Sequence, residues 1–125
     1  MGSNSKDGLQ KAGITHVLSV CGGHPPKFPS FFTYKVVSVL DTEKQNLKKH
    51  FKECIDFIKE AIDYEGGMGR VFVHCFAGVS RSATIVASYL IQEHGMTLAE
   101  AMSYIKTKRP FVNPNSGFRK QLFAF

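Results

Sequence analysis

Three absences narrow this sequence before anything in it is read. It holds only three cysteines, Cys21, Cys54 and Cys75, with no paired spacing, so a disulfide framework is excluded. It has no apolar run near the ~18 residues a membrane helix needs and no secretory leader pattern, which excludes a membrane span and points to a reducing compartment, cytosol or nucleus. No internal repeat or low-complexity tract interrupts it. His16, His24, His50 and His94 do not cluster at ligand spacing, so no metal and no other cofactor is expected. Met1-Gly2 opens like an N-myristoylation signal, but Lys6 stands where Ser or Thr is required.

The charge is one-sided: 16 Lys and Arg against 10 Asp and Glu give a net charge of +6. The cations are scattered, however, through Lys44, Lys48, Lys49, Lys52, Lys106, Lys108, Arg109, Arg119 and Lys120, and no aromatic platform accompanies them. A solvated basic surface that attracts acidic, phosphorylated partners is expected, and nucleic acid is not. With 125 residues and 43% hydrophobic content, the chain fits one domain, residues 1–125, around one core. Oligomeric state is not legible here.

Residues 14–20 and 34–40 are short β-branched apolar runs bounded by Gly or Pro and read as strands. Between Asn46 and Tyr64, Leu47, Phe51, Cys54, Ile55, Ile58, Ala61 and Ile62 recur at helical spacing until Gly66-Gly67 ends the pattern. Val71 to Val73 lacks polar alternation, as a covered, central parallel strand does. Thr97-Leu98-Ala99-Glu100 is a capping box that opens a helix ending near Arg109-Pro110, and a last helix starts near Asn115. The order predicts an α/β fold: a mainly parallel sheet with helices on both faces and a ligand site at the carboxyl end of its central strand.

At that end stands His74-Cys75-Phe76-Ala77-Gly78-Val79-Ser80-Arg81-Ser82, between the run Val71–Val73 and the helical stretch Ala83 to Gln92. A loop opening onto a helix N-terminus offers unpaired N–H groups and the positive end of the helix dipole to an anion. The five residues between Cys75 and Arg81 let the backbone curl into a nest, formed by Phe76, Ala77, Gly78, Val79 and Ser80, with thiol and guanidinium on its rim. Arg81 can grip two oxygens of a phosphate while Cys75 faces the phosphorus. The nucleophile must be a thiolate, which the helix N-terminus and the arginine favour, and Ser82 can donate its hydroxyl to the sulfur when it departs.

These residues closely resemble the cysteine-dependent protein tyrosine phosphatases, in their dual-specificity branch. The resemblance extends over residues 9–125. Gly13-Ile14-Thr15-His16-Val17-Leu18-Ser19-Val20 is similar to the strand that opens those domains, and Asn113-Pro114-Asn115-Ser116-Gly117-Phe118 to the start of their closing helix. The run Gln45 to Phe57 and the Asn-Pro-Asn sequence look most like the small atypical members. Domains of the family carry a further strand before the point where Met1 stands here, so a domain lacking that strand, with an exposed sheet edge, is expected.

The resemblance implies hydrolysis of phosphotyrosine and phosphoserine or phosphothreonine in protein substrates through a phosphocysteine on Cys75. Relatives on this scaffold also act on phosphoinositides, phosphoglucans or RNA 5′ phosphates, and a phosphate-binding pseudoenzyme is the non-catalytic alternative. Neutral Phe76, Ala77, Val79 and Ser80 speak against an inositol polyphosphate, and retained Cys75, Arg81 and Asp41 against a pseudoenzyme. Ester cleavage needs an acid for the leaving oxygen. Asp41 matches the family's general-acid position, with a turn aspartate as the plain alternative and Glu43 as its competitor. His74 matches the residue that orients the loop, though a satisfied core histidine also fits. Asn115 is either a helix N-cap or an amide that braces the phosphate loop. Cys54 reads as packing. Cys21 is similar in position to a resolving cysteine of the lipid-phosphatase branch, or is a buried strand-end residue.

Overall fold

The computed structural model describes residues 6–22, 25–75 and 80–125. Three strands, β1 (His16–Val20), β2 (Thr33–Val37) and β3 (Val71–His74), pair in parallel in the order β2-β1-β3. The helices are α1 (Lys6–Lys11), α2 (Phe51–Gly67), α3 (Ser80–His94), α4 (Leu98–Lys108) and α5 (Ser116–Phe123), with a 3-10 turn at Lys48–His50 leading into α2. The parallel α/β expectation is met, and no helix among the described residues is long and apolar enough to cross a membrane.

The strand order differs from expectation in one respect. β1, buried at all five positions, takes the middle, while β3 flanks it and is half-buried throughout. An unbroken apolar run reports covered faces, not hydrogen-bonded neighbours on both sides, and β3 has covered faces. Val71 and Val73 pack on the main core, and Phe72 packs on the opposite side. β2 ends at Val37, three residues short of the run's end at Leu40, and α3 begins at Ser80, directly after the loop.

The two faces of the sheet are covered unequally. Leu18, Val20 and Val37 join Phe51, Ile55 and Ile58 of α2, Ala83, Ile85 and Ala87 of α3, Ala101 and Ile105 of α4 and Phe118 of α5 in one core. The other face carries Val17, Tyr34 and Phe72, closed by Leu9 of α1 and by Phe28 and Phe32 from the β1–β2 connection. Small residues on the buried side of α3 let that helix approach closely, and each fully buried Leu, Ile or Phe contributes about 1.5–3 kcal/mol.

Local signals set the helix ends. The Thr97–Glu100 capping box is formed: Thr97 Oγ1 accepts from the Glu100 N–H at 3.1 Å and the Thr97 N–H donates to Glu100 Oε1 at 2.9 Å. α2 breaks at Tyr64, and Glu65, Gly66 and Gly67 take positive φ. The chain then doubles back so tightly that a Cβ on Gly69 would lie 1.7 Å from the Ala61 carbonyl oxygen. That turn feeds β3, whose far end delivers Cys75.

His16 lies beneath this turn, 2% exposed, with Nδ1 2.7 Å from Thr15 Oγ1 and its ring edge-on to Phe57 and Tyr64. Burial holds its imidazole below the ordinary value, against the opposing charge of Glu60. The folded protein therefore keeps His16 neutral at a pH where the unfolded chain protonates. The corresponding stability is full above the unfolded value of about 6.5 and is lost as pH falls toward the lower folded value. The unfolding free energy from urea titration is expected to fall as pH drops below about 6.5, with His16 and the half-buried His74 each contributing at most about 1.4 kcal/mol per pH unit. His16→Phe should flatten that slope, and an unchanged slope in the variant would remove His16 from the account.

Candidate active site

Cys75 follows the last residue of β3 and turns toward α3, where its Sγ is in hydrogen-bond contact with Ser82 Oγ at 3.2 Å. The hydroxyl can reverse its role: it accepts from a thiol and donates to a thiolate. Ser82 is buried in the first turn of α3.

His74 takes the other face of the strand. Its Nε2 is 2.7 Å from Ser19 Oγ on the neighbouring strand, and its ring stacks on Phe72 at 5.1 Å. Burial holds its imidazole below the ordinary value, which favours the neutral ring. The strand end is thus anchored on one face through His74 while it presents Cys75 on the other. Ser19 carries no sequence motif; only its register opposite His74 identifies it.

Arg81 is half-buried on the first turn of α3, and its Nη1 donates to the Val39 carbonyl at 3.0 Å. Val39 lies just beyond β2 and two residues before Asp41. The guanidinium is therefore tied to the chain that carries the second candidate group of the site. Of the remaining loop residues, Phe76, Ala77, Gly78 and Val79 lie outside the described residues, and Ser80 is the buried first residue of α3.

Asp41 is exposed, and Asn115 Nδ2 donates to its Oδ1 at 2.9 Å. Asn115 is also the N-cap of α5, its Oδ1 accepting from the Phe118 N–H at 2.8 Å, while its own backbone N–H donates to Ser80 Oγ at 2.9 Å. Asn115 thus caps α5; its side-chain amide, read from the sequence as a brace for the phosphate loop, goes to Asp41 instead, and it is the backbone N–H that reaches the start of α3. Glu43 is engaged by the Ser116 hydroxyl, which ties this competing carboxylate to α5.

The other two cysteines are both buried. Cys54 is fully buried on α2, and burial pushes its thiol up to about 12. Cys21, 1% exposed, extends the β1–β2 ladder by donating its N–H to the Val37 carbonyl at 3.0 Å. The register that pairs Ser19 with His74 sets Val20, not Cys21, level with Cys75, and strand alternation assigns Cys21 to the face of Ser19.

Residues 2–125 match the family model described as the dual specificity phosphatase catalytic domain. A protein of Arabidopsis thaliana named dual specificity protein phosphatase 1 is 49% identical over 120 residues, 96% of this chain and 59% of its own. The crystal structure of DUSP15 superposes with a TM-score of 0.89 at 40% identity, over 98% of this chain and 76% of that one. The human tyrosine phosphatase-like serine/threonine/tyrosine-interacting protein does so with a TM-score of 0.88 at 34% identity, over 96% and 83%. The chain thus spans about three-fifths of the length of the Arabidopsis relative.

Exposure and burial order the three thiols for chemical modification. Brief iodoacetamide treatment of the native protein is expected to alkylate Cys75 and to spare Cys21 and Cys54 until urea is added, as read by peptide mass spectrometry. Equal labelling of Cys54 in the native protein would contradict its buried place on α2.

Proposed function

The chain belongs to the dual specificity phosphatase family, and from that premise we propose that it hydrolyses phosphoprotein monoesters, on tyrosine and on serine or threonine, through a phosphocysteine on Cys75. The observation that carries this reading is the contact of Cys75 Sγ with Ser82 Oγ, which sets the sulfur beside the first turn of α3, where a helix N-terminus favours an anion. In the first step the Cys75 thiolate attacks phosphorus while Asp41 protonates the departing oxygen. In the second, Asp41 as carboxylate takes a proton from the attacking water, and sulfur leaves as thiolate with the Ser82 hydroxyl donating to it. Arg81 holds two of the phosphoryl oxygens in both steps. No step calls on a metal ion or organic cofactor, and the thiolate requires the reducing environment of cytosol or nucleus.

The Asp41–Asn115 contact supports Asp41 as the acid. The amide ties Asp41 to Asn115, whose backbone N–H reaches Ser80 beside Arg81, whereas Glu43 is engaged by Ser116 on α5. The expected pattern follows. Aryl phosphate is hydrolysed in the presence of a chelator; Cys75→Ser abolishes turnover but retains phosphate-ester binding, and Arg81→Ala loses both. Asp41→Asn lowers turnover by about 10² to 10⁴ for an alkyl leaving group and by much less for an activated aryl one. Full activity in Cys75→Ser overturns the mechanism, and a defect in Glu43→Gln but not in Asp41→Asn reassigns the acid. A panel of phosphotyrosyl, phosphoseryl, phosphothreonyl, phosphoinositide, phosphoglucan and RNA 5′-phosphate substrates, run on wild type and Cys75→Ser together, fixes the substrate class.

A further inference from the structure

The segment that carries Asp41 has little of its own to hold it. Asp41, Thr42, Glu43 and Lys44 are all exposed, and the run forms neither strand nor helix, so burial does not fix its position. Buried Val39 and Leu47 pin its two ends, and between them it is held by α5. Beyond the Asn115 contact to Asp41, the first turn of α5 presses against the backbone of Glu43: a Cβ on Gly117 would lie 2.1 Å from the Glu43 carbonyl oxygen and 2.7 Å from its Cα. Nothing larger than glycine permits that approach without moving one of the two chains.

One turn further along, Gln121 makes three hydrogen bonds to the same segment. Its Oε1 accepts from the N–H groups of both Leu47 and Lys48 at 2.8 Å, and its Nε2 donates to the Gln45 carbonyl at 2.8 Å. The Gln45 side chain passes the restraint back, its Oε1 accepting from the Leu40 N–H at 3.0 Å, one residue before Asp41. A primary amide suits this place because it accepts twice and donates in the same plane. A carboxylate accepts both N–H groups but sets an oxygen against the Gln45 carbonyl, and a leucine strands all three partners.

We propose that Gln121, with Gly117, is a positioning residue for the general acid: α5 latches the Leu40–Lys48 segment so that Asp41 is held ready at the leaving oxygen. The proposal rests on the reading of Asp41 as the acid. Gln121 touches neither substrate nor nucleophile, so its effect must pass through the acid and must depend on how much the leaving group needs a proton. A displacement near 1 Å of a positioned group costs up to about 100-fold.

The test is a leaving-group series, from nitrophenyl through phenyl to alkyl phosphates, measured as kcat and KM. It is run on wild type, Gln121→Leu, Gln121→Glu, Gly117→Ala, Asp41→Asn and the Asp41→Asn/Gln121→Leu double variant, each checked for folding by circular dichroism. Gln121→Leu and Gly117→Ala are expected to lose about 10- to 100-fold in kcat on phenyl and alkyl phosphates and less than about threefold on nitrophenyl phosphate, with KM unchanged. Gln121→Glu retains two of the three hydrogen bonds and should fall between; it also carries the test if the leucine variant fails to fold. The double variant should lose no more than Asp41→Asn alone on the poor leaving groups. A loss uniform across the series, no loss in folded variants, or additive losses in the double variant would overturn the proposal. If Asp41→Asn itself shows no dependence on leaving group, the assignment of the acid fails, and that outcome is distinct from a failure of Gln121 alone.

Discussion

Three consecutive residues open α3, and each holds a different part of the site: Ser80 receives the Asn115 N–H, Arg81 reaches the Val39 carbonyl, and Ser82 contacts the Cys75 sulfur. The rest of the arrangement depends on where this one helical turn sits. Its position is set in turn by the buried side of α3, where Ala83, Ile85 and Ala87 press against the sheet and the neighbouring helices. Moving the turn would displace Cys75, Arg81 and, through Asn115, Asp41 together, which couples their placement to the packing of the core.

The sheet supplies the second constraint. Parallel strands end together, so the exits of β1, β2 and β3 lie on one edge, and that edge is where an open α/β sheet binds its ligand. β3 delivers Cys75 there, β2 leads through Val39 to Asp41, and β1 between them contributes Ser19 to steady His74. Strand alternation divides the end of β3, with anchoring through His74 on one face and the Cys75 sulfur on the other. The same alternation assigns Cys21 to the face of Ser19.

The polar restraints and the apolar core also act on different scales. Cys54 and Cys75 have the same side chain, yet burial on α2 drives one thiol up to about 12 and makes it a packing group, while the other stands beside a hydroxyl at a helix N-terminus. Residues 41–44 are exposed, and the core holds their segment only at its ends, through buried Val39 and Leu47, while α5, itself fixed by buried Phe118 and Leu122, adds hydrogen bonds between them. The segment that carries Asp41 is thus pinned by the core at its ends and by one short helix along its exposed middle.

Much of this was legible in the order of residues. The Cys75–Arg81 spacing, the Thr97–Glu100 capping box, the apolar stripe of α2 broken at Gly66-Gly67 and the cap at Asn115 are all local patterns, because each depends on neighbours a few positions away. Tertiary structure alone decided the rest. It put β1 in the centre of the sheet and β3 at its flank, since a covered apolar run looks the same in either place. It joined Arg81 to Val39 across 42 positions, Asn115 to Ser80 across 35 and Asn115 to Asp41 across 74. It also turned Gln121, unremarkable on a helix surface, into a threefold partner of residues 45–48. Hydrogen bonds of this kind carry no periodicity and no fixed spacing. They form where packing brings two distant segments within about 3 Å, and the hydrophobic core, not the local sequence, sets that distance.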